Sequence, residues 1–542
     1  MIRIKPAKTL LFAALTLLSC SGFAQVKLSP EVEASLSKVD TAQFKADIAY
    51  LADDKLKGRG PGTEGYQMAV DYVVSRLKGV GVKPAGENGT WLQEVKFRKA
   101  FLKDATVSIT GTNPALKIGV DYTVFPNPSI ANVTVNGQLA FAGYGTSEPS
   151  VGYDDYAGLD VKGKIVLVVR GAPDKFSSSV SAHTMSPSTI LKSAADHGAV
   201  GVIICSTDST AKMRNTKGGS YSVIGRDGKV AISGIYYSDQ VKVLGMFSYS
   251  VFNTLLQQSG KTMPALLAQL KGGTPASFTI NSTANIAYTS TYQDILSYNV
   301  IGKIEGSDPK LKNEYIVHSA HLDHLGIGKP VEGDSIYNGA HDNASGVASV
   351  LAIAKIYQGI KQKPKRSILT VLLTGEELGD LGSGYFASHP TVPVKSIVAD
   401  VNTDMPTIIA PLLSVTALGA EHSSLSKQVD EAAGYLGLGV EPDPEPKQAR
   451  FTRSDQYSFV VNGIPALHIK YGSKTADGKN NLNEFVAKWR AKYYHKPQDD
   501  INGIFDFAAG KKYAQLNFII GYLVAQDEAR PTWNPGDIFA SK

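Results

Sequence analysis

Apolar positions change their period several times along the chain. Over 41–54 and 63–81 they recur at helical spacing, with Met68, Tyr72, Val73 and Leu77 on one face of the second segment. Gly79 and Gly81 sit where that helix should stop, and Gly58-Arg59-Gly60-Pro61-Gly62 reads as the loop between the two helices. Alternation over 91–97 predicts a strand, and a looser β region continues to about residue 125. From 126 to 290, short β-type runs (VTVNGQLAFAGYG, GKIVLVVRG, GAVGVIICS) alternate with turn-rich segments, and one helix is predicted over 188–197. Beyond 290, strands and helices take turns. Strands are predicted at 299–304 and 315–320, and an amphipathic helix over 343–357. Almost wholly apolar runs follow at 368–373, 397–401 and 464–469, then helical spacing over 505–523. Unbroken apolar runs suit strands covered on both faces. The expected class is therefore α/β, a mostly parallel central sheet with helices on both faces and a small β-rich inserted domain. The expected division is a leader at 1–24, a first part of the main domain at 25–125, an insertion at 126–290 and the rest of the main domain at 291–542.

Residues 1–24 have a basic start, an apolar run over 10–18 and a small-residue end at Gly22-Phe23-Ala24, the pattern of a secretory signal. Lipidation at Cys20 competes with cleavage after Ala24. Leu18 stands where lipidation signals carry a small residue, which favours Ala24. Cleavage there leaves Cys205 as the last cysteine, so no intrachain disulfide is expected in an exported, periplasmic or extracellular protein. The formal net charge of +6 drops to +3 without Arg3, Lys5 and Lys8. That balance argues against nucleic acid as a partner, and no other stretch is long and apolar enough to span a bilayer.

The candidate chemistry lies just past the ends of the predicted strands. His321 and Asp323 follow the 315–320 run, Asp342 opens a helix, Glu376 and Glu377 follow the 368–373 run, Asp404 follows the 397–401 run, and His495 lies near the C-terminus. Singly each is weak, since His-x-Asp pairs and adjacent glutamates are usually solvated surface. Together they occupy the rim where open α/β sheets bind ligands. They also form an oxygen and nitrogen donor set suited to zinc. A carboxylate pair at the end of a buried strand needs a charge partner. Asp342 has two oxygens and can bridge two cations, with His321 and Asp404 on one and Glu377 and His495 on the other; such ions sit roughly 3.5–4 Å apart. The inserted block holds no such cluster, and His183 and His197 read as surface or satisfied polar residues.

As an ordered set, AHLDHLG, NGAHDNASG, LTGEELGDLGS, VNTDM and YYHKPQDD, supported by RSDQYSF and GIPA, resemble the co-catalytic zinc exopeptidases of peptidase clan MH. That group holds secreted bacterial leucyl aminopeptidases and glutamate carboxypeptidase II. The resemblance covers about 41–125 and 291–542. Between them, 164–171, 194–205 and YAGLDVKGK resemble the protease-associated (PA) domain, often inserted into such peptidases. The resemblance implies two zinc ions per chain on His321, Asp342, Glu377, Asp404 and His495. It implies Glu376 as general base and Asp323 as the acid that orients His321. The expected substrates are peptides with a free N-terminus, because a carboxypeptidase needs a basic pocket for a terminal carboxylate and the motifs assemble none. Two departures stand out: His341 where many relatives have an acid, read here as a flank to Asp342, and Gln456 where relatives often have histidine. His318, His324 and His468 read as structural. Two further readings are a glutaminyl-cyclase-like zinc acyltransferase and a catalytically inactive receptor-like scaffold. The DNASG match and the insertion weigh against the first, and the intact ligand set against the second.

Overall fold

A computed structural model describes residues 27–112 and 115–540; the expected leader, with Cys20 and Ala24, lies outside the described residues. The principal strands in chain order are β1 (Leu92–Ile109), β2 (Asn132–Phe141), β3 (Ile165–Val169), β4 (Gly201–Cys205) and β5 (Val243–Phe247). They continue with β6 (Phe278–Ile304), β7 (Tyr315–His321), β8 (Ser367–Leu373), β9 (Ile397–Asn402), β10 (Ser414–Leu418) and β11 (Ala466–Tyr471). The helices that matter for the site are α1 (Thr41–Leu51), α2 (Glu64–Gly79), α3 (Ser345–Gly359) and α4 (Phe507–Gln526).

All of these strands belong to one sheet, ordered β10-β11-β9-β7-β8-β6-β2-β3-β4-β5 along its main path. Within the C-terminal lobe β8, β7, β9 and β11 are mutually parallel. Its flanks, β6 against β8 and β10 against β11, are antiparallel. Both faces are covered. Ile316, Ala320, Ile368 and Leu372 share one core with α3 and α4, while Val317, Leu369 and Val371 share another with Phe386 and Phe459. Every residue of β7 and β8 is buried, which explains their unbroken apolar character.

The inserted lobe has its own parallel set, β2 through β5. The link between the lobes differs from expectation. β6 pairs with β2 over its first half and with β8 at its end, so one strand crosses both lobes. The expected boundary at 290 falls inside β6, beside a register shift at Thr289/Ser290 in its long antiparallel ladder with β1. β1 runs well past Phe97, since its outer half is held by that ladder rather than by burial. In α2 the buried face is Tyr66, Ala69, Val70, Val73 and Leu77, with Met68 and Tyr72 only partly covered. Tyr72 is drawn aside because its hydroxyl donates to Asp47 at 2.6 Å and its ring stacks on Tyr50. The predicted helix 343–357 starts at Ser345, because Ala340–Ala344 form a separate wide turn carrying Asp342.

Candidate metal centre

His321 is the last residue of β7, with Asp323 and His324 in the loop beyond it. Glu376 and Glu377 lie in the turn after β8, and Asp404 lies two residues past the end of β9. Because these strands are parallel, all three turns open on the same rim. Asp342 reaches it from the turn before α3, and His495 from the residues after the helix Leu482–Tyr493.

The side chains gather into two clusters that share Asp342. His321 Nε2 lies 3.3 Å from Asp342 Oδ1 and 3.4 Å from Asp404 Oδ1. His495 Nε2 lies 3.2 Å from Asp342 Oδ2 and 3.4 Å from Glu377 Oε2. Each oxygen of Asp342 thus faces a different histidine. Ligand atoms at about 2.0–2.1 Å from one tetrahedral zinc ion are separated by roughly 3.3–3.4 Å, so these spacings fit a shared cation at each cluster. The charge count fits as well. Asp342, Glu377 and Asp404 face histidine nitrogens, and among the described residues their carboxylates accept no backbone N–H and no hydroxyl. Burial alone would raise the Asp342 carboxyl, but His321 and His495 outweigh it and hold it well below its ordinary range. Burial pushes the Glu376 carboxyl well above its own range against the pull of His321, and Asp380 and Asp404 add to the rise.

The frame behind these groups corrects one expectation. His321 Nδ1 meets the backbone carbonyl of Asp323 at 3.2 Å, not its carboxylate. The Asp323 carboxylate instead accepts the N–H groups of Glu376 and Glu377 at 3.3 and 3.4 Å. It ties the β7 and β8 turns together, because two converging backbone donors are the stronger claim on a buried acid. Asp499 does the same on the other side, accepting the N–H groups of His341 and Asp342, each at 3.0 Å.

Arg59 lies in the loop between α1 and α2, in a glycine-rich stretch that carries no functional motif. Its buried guanidinium donates to the carbonyls of Leu322 (2.9 Å), Gly339 (3.1 Å), Leu51 and Asn338. It therefore clamps the end of α1, the turn bearing His321 and the approach to Asp342. His324 does more than the structural role its sequence position implies: its Nδ1 lies 2.6 Å from Glu377 Oε1 without hydrogen-bond geometry. It groups with Asp342 and Glu377 closely enough to share an ion. A Cβ at Gly339 (φ +62°) would fall 2.6 Å from the His324 ring, so that glycine makes room for it. No spacing in the sequence marks His324, since one residue after Asp323 it has no periodic reason to face the rim.

His341 turns away: its Nε2 bonds the Ile504 carbonyl at 3.0 Å and its ring stacks on Phe505. Gln456 is occupied by Asn402 and the Phe451 carbonyl. His318 Nε2 lies 3.3 Å from the Tyr357 hydroxyl. His468 holds the Asp404 carbonyl at 2.9 Å.

Parts of the chain are similar to known proteins. Residues 299–516 match the model of peptidase family M28, and residues 132–240 match the PA domain. The chain is 25% identical over 519 residues to the probable lipoprotein aminopeptidase LpqL of Mycobacterium tuberculosis, covering 92% of this chain and 88% of that protein. It is also 25% identical over 226 residues to the probable leucine aminopeptidase 2 of Aspergillus oryzae, covering 40% of this chain and 42% of the fungal one. The match thus spans less than half of that relative. Among solved structures, an aminopeptidase from Aneurinibacillus sp. strain AM-1 shares 20% identity at a TM-score of 0.47, over 91% of this chain and 95% of that one. The C-terminal lobe is thus similar to peptidase family M28 over residues 299–516, and the inserted lobe to the PA domain over residues 132–240.

Proposed function

We propose that this protein is an exported zinc aminopeptidase that removes N-terminal residues from peptides. The observation that carries the reading is the division of Asp342, whose two oxygens face His321 and His495 at 3.3 and 3.2 Å. His321, Asp342 and Asp404 would hold one zinc ion; Asp342, Glu377 and His495 would hold the second. Zinc supplies Lewis acidity, which polarises the scissile carbonyl and makes water acidic enough to attack at neutral pH. The chain's own residues do the rest. Glu376, next to the ligand Glu377 but not needed as one, takes the proton from the attacking water and hands it to the leaving amine. Asp323 positions it by gripping its backbone N–H. Arg59 and Asp499 keep the ligand turns in register, so the carboxylates need not reorganise during the reaction.

The inserted lobe is proposed to roof the cleft and restrict it to short peptides. Its Tyr221 joins Thr63, His324, Glu377 and Leu378 around a cavity of about 480 Å³. Deleting the lobe should lengthen the range of peptides cleaved; an unaltered length profile would count against the roof.

Metal analysis and chromogenic aminoacyl amides on one sample test the whole reading. Two metals per chain with amine release is the expected outcome. One metal with pyroglutamate formation would favour the cyclase, and neither would leave a scaffold.

A further inference from the structure

A second cavity, of about 230 Å³, opens beside Asp404 and Tyr494. It is lined by Arg450, Arg453, Lys470 and Arg490, contributed by β11, the helix Leu482–Tyr493 and the loop around 450. This is the basic pocket that no motif announced.

Not all of its charge is neutralised inside the protein. Arg450 is taken by Asp443, with Glu445 3.9 Å away. Asp404 faces His321 through its carboxylate. The buried Lys470 ammonium donates only to the backbone carbonyls of Asp404 (2.6 Å) and Met405 (3.3 Å). Arg490 lies over the Tyr494 ring, 3.8 Å from its centroid, and reaches Met405 Sδ at 3.5 Å. Arg453 is exposed. Among the described residues neither Arg453 nor Arg490 has a carboxylate within ion-pair distance. Three cations sharing one small cavity repel one another unless an anion joins them, and guanidinium forks match a carboxylate geometrically.

The geometry points to this pocket as the subsite for a substrate carboxylate on a residue flanking the scissile bond. The inference rests on the peptidase reading above and adds the substrate class. The carboxylate has two possible sources, the side chain of an acidic N-terminal residue or the free C-terminus of a dipeptide.

Paired substrates that differ only in charge separate them. The first arm compares kcat/KM for glutamyl and glutaminyl p-nitroanilides; the second compares leucyl-glycine with leucyl-glycinamide. A preference for the charged member of about 10- to 100-fold in the first arm assigns the pocket to the side chain, and in the second arm to the terminus. In Arg490→Leu and in Arg453→Gln that ratio should collapse toward one, whatever happens to the common rate. Arg453 is exposed, so its substitution leaves the fold in place. Equal rates within both pairs, in an enzyme that turns the neutral substrates over, would overturn the pocket and leave the aminopeptidase standing. No turnover of any free-amine substrate, with cleavage of an N-acylated dipeptide that requires its free carboxylate, would overturn the aminopeptidase and keep the pocket.

Discussion

Asp155 in the inserted lobe and the rim acids of the C-terminal lobe are buried in opposite ways. Both lobes are built on parallel strands whose residues are wholly covered, β3 and β4 in one and β7 and β8 in the other. In the inserted lobe the buried Asp155 has donors for both oxygens. It accepts the N–H groups of Tyr144 (2.9 Å) and Thr146 (3.1 Å) and the hydroxyl of Tyr153 (2.9 Å). Gly143 (φ +48°) clears the way, since a Cβ there would lie 2.0 Å from Asp155 Oδ1. At the other rim, Asp342, Glu377 and Asp404 are surrounded by histidine nitrogens and one another. An acid that finds its donors within the chain is finished as a structural group. Acids that lack them are complete only when cations arrive.

The sharpest way to break the contrast is at the unfinished rim. Glu376→Gln should lower kcat by about 10²–10⁴-fold while bound zinc, measured by elemental analysis, stays as in the parent. Asp342→Asn should lose metal along with turnover. Parent-like turnover in the first variant would remove Glu376 as the base, and unchanged zinc in the second would move the bridge to another residue.

A smaller effect is expected behind the ligands. Arg59→Met leaves four backbone carbonyls without their donor, at roughly 1 kcal/mol or more for each buried acceptor. The thermal midpoint should fall and zinc affinity should fall with it, because the His321 turn and the approach to Asp342 are no longer clamped. A lower midpoint with unaltered zinc affinity would reduce Arg59 to a packing residue.

Much of this contrast could be read in the sequence. The apolar runs over 368–373 and 397–401 announced strands buried on both faces, and the acids and histidines just beyond them stood out because such positions seldom carry charge. What stayed hidden depends on contacts between distant segments. Arg59 sits in a glycine-rich stretch that looks like any solvated loop, and only the folded chain brings Leu322 and Gly339 to its guanidinium. Asp323 could be placed near His321 by spacing. Which of its oxygens meets the ring depends on the β8 turn, 53 residues away. The basic pocket draws Arg450, Lys470 and Arg490 from elements with no shared motif. The sequence predicts β6 only over 299–304, because its long outer half is stabilised by ladder partners and lacks the unbroken apolar signature.

The mildest test concerns the finished acid. Burial pushes the Asp155 carboxyl up to about 7, with the Thr146, Tyr153 and Tyr144 donors pulling the other way. In the unfolded chain this carboxyl titrates near the ordinary aspartate value, about 3.9. Between those two values the folded state holds the proton more tightly, so this group's contribution to stability is greatest below the unfolded value. It declines as pH rises and is flat above about 7. Asp155→Asn mimics the protonated form: its carbonyl oxygen can keep the Tyr144 and Thr146 donors, and its amide can face the Tyr153 hydroxyl. The variant should lack the slope, so any midpoint advantage of the parent at pH 5 should shrink by pH 8. All other titrating groups are common to both proteins and cancel in the difference. An advantage that stays constant from pH 5 to pH 8 would mean that the three donors keep Asp155 ionised in the folded state. Burial would then have lost to hydrogen bonding in the lobe where the acid has every donor it needs.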